Sequence, residues 1–124
     1  MSKEKKVNKY KDLKIWDKAM ELVELVYKLV KELPEDEKFG LTSQIKRCSI
    51  SISSNIAEGA GRNSKKEFIH FLSIANGSTL ELETQLLLTT SLHFVKEEKV
   101  QSLLILTNGI KKMNDALRKS IGFA

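Results

Sequence analysis

Residues 41–62 read Leu-Thr-Ser-Gln-Ile-Lys-Arg-Cys-Ser-Ile-Ser-Ile-Ser-Ser-Asn-Ile-Ala-Glu-Gly-Ala-Gly-Arg. At their centre, Ser49-Ile50-Ser51-Ile52-Ser53 alternates as a half-buried strand does. The longer window points the other way. Leu41, Ile45, Cys48, Ile52 and Ile56 recur every three or four residues, the spacing of one helical face. The stretch is therefore read as a helix from Asp36 to Glu58, with serines small enough to let neighbouring helices approach. Gly59 and Gly61 fit the left-handed positions that end helices.

Helical periodicity extends to both sides. Upstream, a helix is expected from Leu13 to Leu33. Trp16, Ala19, Met20, Val23, Val26, Tyr27 and Val30 form one apolar stripe of it, and Ile15, Leu22, Leu25 and Leu29 a second. That combined face is wider than a two-helix seam needs, so this helix lies deep in its fold or also meets another subunit. Pro34 stops it, and Pro34-Glu35-Asp36-Glu37 suits the start of the next helix, with acids facing its dipole.

Downstream, Ser64-Lys65-Lys66-Glu67 is a capping box opening a third helix. Its inner stripe is Phe68, Phe71, Leu72, Ala75, Leu82, Leu86 and Thr89, and it ends between Ser91 and Val95. Asn76-Gly77 has the composition of a hairpin turn, but its flanks are helical, so Ala75, Gly77 and Ser78 are read as a close-packing site within a long helix. A fourth helix spans Lys96 to Ser120 with Val100, Leu103, Leu104, Thr107, Ile110, Met113, Leu117 and Ile121 inward. Glycine at 109 weakens it by only about 1 kcal/mol. The fold class is thus all-α, an antiparallel up-down-up-down four-helix bundle over residues 13–121 behind a basic, flexible arm at 1–12.

The chain's 124 residues suit one domain, and 41% hydrophobic with 30% charged residues excludes disordered and membrane classes. No apolar run is long enough to cross a bilayer, and a cytoplasmic location is expected. The single cysteine, Cys48, excludes an intrachain disulfide and is expected to be a buried structural thiol.

The net charge of +5 is unevenly spread. Residues 1–14 carry Lys3, Lys5, Lys6, Lys9, Lys11 and Lys14 against Glu4 and Asp12. Two clusters follow in the body: Lys46, Arg47, Arg62, Lys65 and Lys66, and then Lys111, Lys112, Arg118 and Lys119. Basic patches on adjacent helices are the electrostatic footprint of nucleic-acid binding, and a solvated charged face is the plainer alternative.

Catalytic patterns are weaker. Glu67-x-x-His70 is half of a di-iron carboxylate motif, but His93 has Thr90 three residues before it, so the second half is missing. Asn55 and Glu58 could form an acid–base pair, yet no nucleophile accompanies them and a helix-end structural role is the better reading. Asn55, Glu58, Gly59, Gly61, Ser64 and Glu67 are assigned to structure. No catalytic residue, metal, cofactor or small-molecule substrate is expected.

Gln44 to Arg62, with Asn55-Ile56-Ala57-Glu58-Gly59 at its heart, resembles the signature of the four-helix bundle family associated with 23S rRNA intervening sequences. Phe71 to Ser78, Glu81 to Leu86, Tyr10 to Leu13 with Trp16, and the Leu33-Pro34 break are similar to that family too. Two positions depart from it: Cys48 stands where alanine is usual, and Asn76 where a basic residue is usual. The resemblance implies an antiparallel bundle assembled into a ring, commonly a homopentamer, in proteins encoded within insertions in bacterial ribosomal RNA genes or elsewhere in the genome. A distantly similar bundle is an RNA-binding accessory of a reverse transcriptase. The expected function is a non-enzymatic homo-oligomer that binds RNA or DNA backbone, with a protein-interaction scaffold, including such an accessory role, as the alternative.

Overall fold

The serine–isoleucine alternation is helical. In the structure, a computed structural model that describes residues 9–122, four α-helices follow a 3-10 turn at Lys9–Asp12. They are α1 (Lys14–Leu29), α2 (Leu41–Ala60), α3 (Lys65–Ser91) and α4 (Glu97–Ile121). Within α2, Ile45, Cys48, Ile52 and Ile56 are buried, as the three-to-four spacing requires. The serines survive inside the helix because their hydroxyls bond their own turn. Ser49 Oγ donates to Lys46 O at 2.8 Å and Ser53 Oγ to Ile50 O at 3.1 Å, so neither is buried without a partner.

Each helix packs on its sequence neighbours, α1 closes the ring on α4, and the diagonal pairs stay apart. The links at 61–64 and 92–96 are too short to let consecutive helices run parallel. A Lys99–Glu32 ion pair of 2.8 Å sets the start of α4 beside the end of α1. Leu22, Val26, Ile45, Ile52, Ile56, Leu72, Leu82, Leu86, Val100 and Ile110 fill the centre. Burying one such side chain is worth about 1.5–3 kcal/mol. The centre draws on both stripes of α1, which buries Ile15, Ala19, Leu22, Val26 and Leu29 and leaves Met20 and Tyr27 exposed.

Several boundaries differ from the sequence reading. Of the arm expected at 1–12, residues 1–8 lie outside those described, and Lys9–Asp12 form the 3-10 turn, with Tyr10 edge-on to Trp16 at 5.1 Å. The second helix begins at Leu41 rather than Asp36. Residues Glu35–Glu37 are a separate 3-10 turn, and the Glu37 carboxylate accepts the Leu41 N–H at 3.1 Å, serving as the missing cap. Half of the capping box forms on α3: Ser64 Oγ accepts the Glu67 N–H at 3.0 Å, while the Glu67 carboxylate faces Arg62 Nη1 at 3.6 Å.

The glycines also change roles. Gly59 lies inside α2 and Gly61 has φ −82°, so neither is the left-handed residue expected of it. Left-handed backbone occurs instead at His93, φ 63°, and Gly122, φ 119°. His93 lets Phe94 and Val95 turn back and donate to Thr89 O, a helix stop that composition does not advertise. Gly59 serves packing. A Cβ there would lie 2.7 Å from Phe71 Cβ and 3.2 Å from Phe68 O, so α2 and α3 touch through its missing side chain. Gly77 lies inside the long helix as expected, but a Cβ there would meet nothing within 4 Å, so it is not the close-packing contact expected of it.

These two glycines give opposite outcomes. Gly59→Ala is expected to lower stability by about 1–3 kcal/mol through overpacking. Gly77→Ala should raise it by about 0.5–1 kcal/mol, because helix is retained and unfolded-chain entropy falls. Urea unfolding monitored by circular dichroism reads both, and equal effects at the two positions would contradict the packing assigned to Gly59.

Candidate nucleic-acid interface

Lys46 and Arg47 are adjacent in sequence and lie on opposite flanks of α2. Lys46 enters a groove between α1 and α2, where its Nζ lies 5.0 Å from the centroid of the Tyr27 ring. Arg47 enters a polar cleft between α2 and α3 with Gln44, Cys48, Ser51, Ser78 and Glu81, and its Nη2 donates to Ser43 Oγ at 3.3 Å. The cause is the 100° step between successive helical residues.

The other predicted basic residues divide by the acids they meet. Arg62 Nη2 pairs with Glu58 at 3.0 Å, and its guanidinium stacks 4.9 Å from the Phe71 ring centroid. With Glu67 nearby, it joins the end of α2 to the start of α3. Lys65 and Lys66 are exposed in the first turn of α3. Lys111 Nζ lies 2.9 Å from Glu83 Oε1, and Thr107 Oγ1 donates to Glu83 Oε2 at 2.6 Å, a half-buried clamp between α3 and α4. Asp115 faces both Arg118 at 3.9 Å and Lys119 at 3.0 Å, while Lys112 is exposed. The antiparallel order sets Lys65, Lys66, Arg118 and Lys119 at one end of the bundle, where α3 begins and α4 ends. Lys46 is some fifteen residues of α2 away from that end, about 20 Å along the axis.

The groove that receives Lys46 also holds cations that sequence proximity does not suggest. It has a volume of about 610 Å³ and is lined by Lys28, Lys31, Lys38 and Lys46, opposed by Glu24 and Glu35. Tyr27, Val30, Leu33 and Pro34 contribute apolar surface to the same groove. The residues come from the end of α1, the Pro34 link and the start of α2, elements the chain reversal brings side by side.

The residues assigned to structure have structural partners. Asn55 Nδ2 donates to Ser51 O at 2.8 Å and Ser51 Oγ at 3.0 Å, and Ser51 Oγ shares a 2.9 Å hydrogen bond with Ser78 Oγ across to α3. His70 is exposed and edge-on to Phe71. Among the described residues, no three His, Cys, Asp or Glu side chains gather as a metal site would need, and no helix is long and apolar enough to cross a membrane. Asn114 was missed. It sits 1% exposed in the core, and its Nδ2 donates to Leu72 O at 2.8 Å, tying α4 to α3.

Cys48 is buried, and its thiol donates to Ser78 O at 3.0 Å. Burial first, and then the charge of the nearby Glu81, push its pKa from 9.0 up to about 12.

The sequence profile of the 23S rRNA-intervening sequence protein family matches residues 11–116. The chain is similar to a crystal structure, at 1.70 Å, of a protein of unknown function from the S23 ribosomal protein family of Bacteroides thetaiotaomicron VPI-5482. The two share 29% identity with a TM-score of 0.79, over 85% of this chain and 98% of that one. No curated protein matches.

The thiol has a measurable consequence. The native state keeps a proton that the unfolded chain releases near pH 9, so the contribution of Cys48 to stability is full below that pH and declines between about 9 and 12. Ellman's reagent at pH 8 is expected to react slowly with folded protein and fully in guanidinium chloride. Rapid stoichiometric reaction of the folded chain would contradict a buried, protonated thiol.

Proposed function

The chain belongs to the family of 23S rRNA-intervening sequence proteins, and on that premise we propose a non-enzymatic, self-associating protein that holds nucleic-acid backbone in the groove between α1 and α2. One observation carries the reading: Lys28, Lys31, Lys38 and Lys46 line that one groove, with Glu24 and Glu35 as the acids of its lining. Cations so placed attract phosphates and release condensed counterions on contact, without reading base sequence. Arg62, Lys111 and Lys119 carry less of the interface, because each already faces a carboxylate. Lys65, Lys66 and Arg47 are supplementary contacts.

Self-association uses the apolar surface that one bundle leaves uncovered. Ile105 is 68% exposed beside a groove where Leu25 of α1 meets Leu106 and Met113 of α4. A closed ring of chains, five in the arrangement favoured by the family resemblance, repeats the lysine groove around its circumference and multiplies its field.

Fluorescence anisotropy with a labelled RNA strand tests the binding. The logarithm of affinity should fall linearly with the logarithm of salt, and Lys28→Glu with Lys31→Glu and Lys46→Glu should flatten that slope by about 2. Affinity indifferent to salt would remove the backbone reading and leave a scaffold. Light scattering tests assembly: a mass about five times the 14.1 kDa of one chain is expected, lowered by Ile105→Glu. A monomeric wild-type chain would overturn the ring.

A further inference from the structure

The lysine groove has a floor as well as a rim. Backbone contacts alone need only cations on a surface, yet this groove contains an aromatic ring and an apolar wall. Tyr27 is 38% exposed there, beside Val30, Leu33 and Pro34, and four lysines surround them. We propose that the groove between α1 and α2 takes an unpaired base of a single-stranded RNA or DNA, stacked on Tyr27, while the lysines hold the flanking phosphates. This rests on the nucleic-acid reading above and narrows it to single strands.

Three observations carry it. The Tyr27 ring already accepts a group on its face: Lys46 Nζ lies 5.0 Å from the ring centroid. A flat base can take that place, and the displaced ammonium then lies at the edge of the ring, where the phosphate of a stacked nucleotide runs. The groove, about 610 Å³, falls within the range of sites that enclose small ligands, so it has room for a base and its sugar. The charge of the rim matches a polyanion: Lys28 at the end of α1, Lys31 in the 3-10 turn Val30–Glu32 that follows it, Lys38 in the link and Lys46 on α2 all line the opening. A duplex satisfies the rim but not the floor, because its bases are stacked on one another and their faces are closed. Basic groove plus aromatic platform is the physical signature of single-strand binding, tolerant of sequence because every base has a π-face.

The test compares labelled 12-nucleotide RNA and DNA single strands, a strand of the same length containing abasic sites, and the matching duplex, by anisotropy at fixed salt. Wild-type protein is expected to hold the single strands about tenfold more tightly than the abasic strand and the duplex. Tyr27→Leu should erase that preference while retaining duplex and abasic affinity and their salt slopes, and Tyr27→Phe should preserve it. Thermal melting of each variant checks that the bundle is intact, and the abasic comparison needs no variant at all. Equal wild-type affinity for all four ligands, with normal salt dependence, overturns the stacking site and leaves the backbone reading standing. Salt-independent binding, or none to any ligand, overturns both.

Discussion

The absence of one side chain organises much of this bundle. At Gly59 the backbone of α2 comes so close to α3 that a Cβ would lie 2.7 Å from Phe71 Cβ. That contact seats the end of α2 against the start of α3, and polar groups farther along then fix the register of the pair. Cys48 donates to the Ser78 carbonyl and Ser51 shares a hydrogen bond with the Ser78 hydroxyl, partners that a shift along the helix would take away. On the other side of α3, Asn114 reaches Leu72 O and Glu83 clamps Thr107 and Lys111. A buried polar group that loses its partner carries the full cost of its desolvation, so these bonds select one alignment among several that apolar contacts alone would tolerate.

The tight side determines what the loose side offers. With α3 held between α2 and α4 by polar bonds, both sides of α1 open into grooves. One is basic with an aromatic floor, and the other is largely apolar beside Ile105. The wide apolar face of α1 thus has two consequences: its centre completes the core, and its margins supply Tyr27 to one groove and Leu25 to the other. Binding and self-association are assigned to different edges of the same helix, so neither need exclude the other.

Charge follows the same division. The cations nearest the tight helix pairs are engaged with carboxylates: Arg62 with Glu58 and Glu67, and Lys111 with Glu83. Each joins two elements or caps a helix end, and its field is largely cancelled at a distance. The lysines that line the α1–α2 groove, Lys28, Lys31, Lys38 and Lys46, outnumber the acids that line it with them, Glu24 and Glu35. A patch counted in sequence therefore overstates the charge available to a partner where acids lie one turn away or on the next helix.

The sequence by itself determined the helices, because a spacing of three or four residues is local information. Ile45, Cys48, Ile52 and Ile56 override the strand-like serines, and of the inner stripe of α3 Phe68, Leu72, Ala75, Leu82, Leu86 and Thr89 are buried while Phe71 is half-buried. It also determined the start of α3, since a serine cap acts within one turn. Helix ends were less legible where an uncommon residue did the work, as with Glu37 capping Leu41 and His93 in a left-handed conformation. Only the tertiary structure decided which glycine is a contact and which lies open, because that depends on what faces Gly59 and Gly77 from another helix. It alone also decided the candidate site. Lys46 and Arg47 are neighbours in sequence but part at the surface of α2, whereas Lys28 and Lys46 meet because the chain reverses between them. A linear count of charge cannot register that meeting, since it arises from the antiparallel register of α1 and α2 and from the step of the helix.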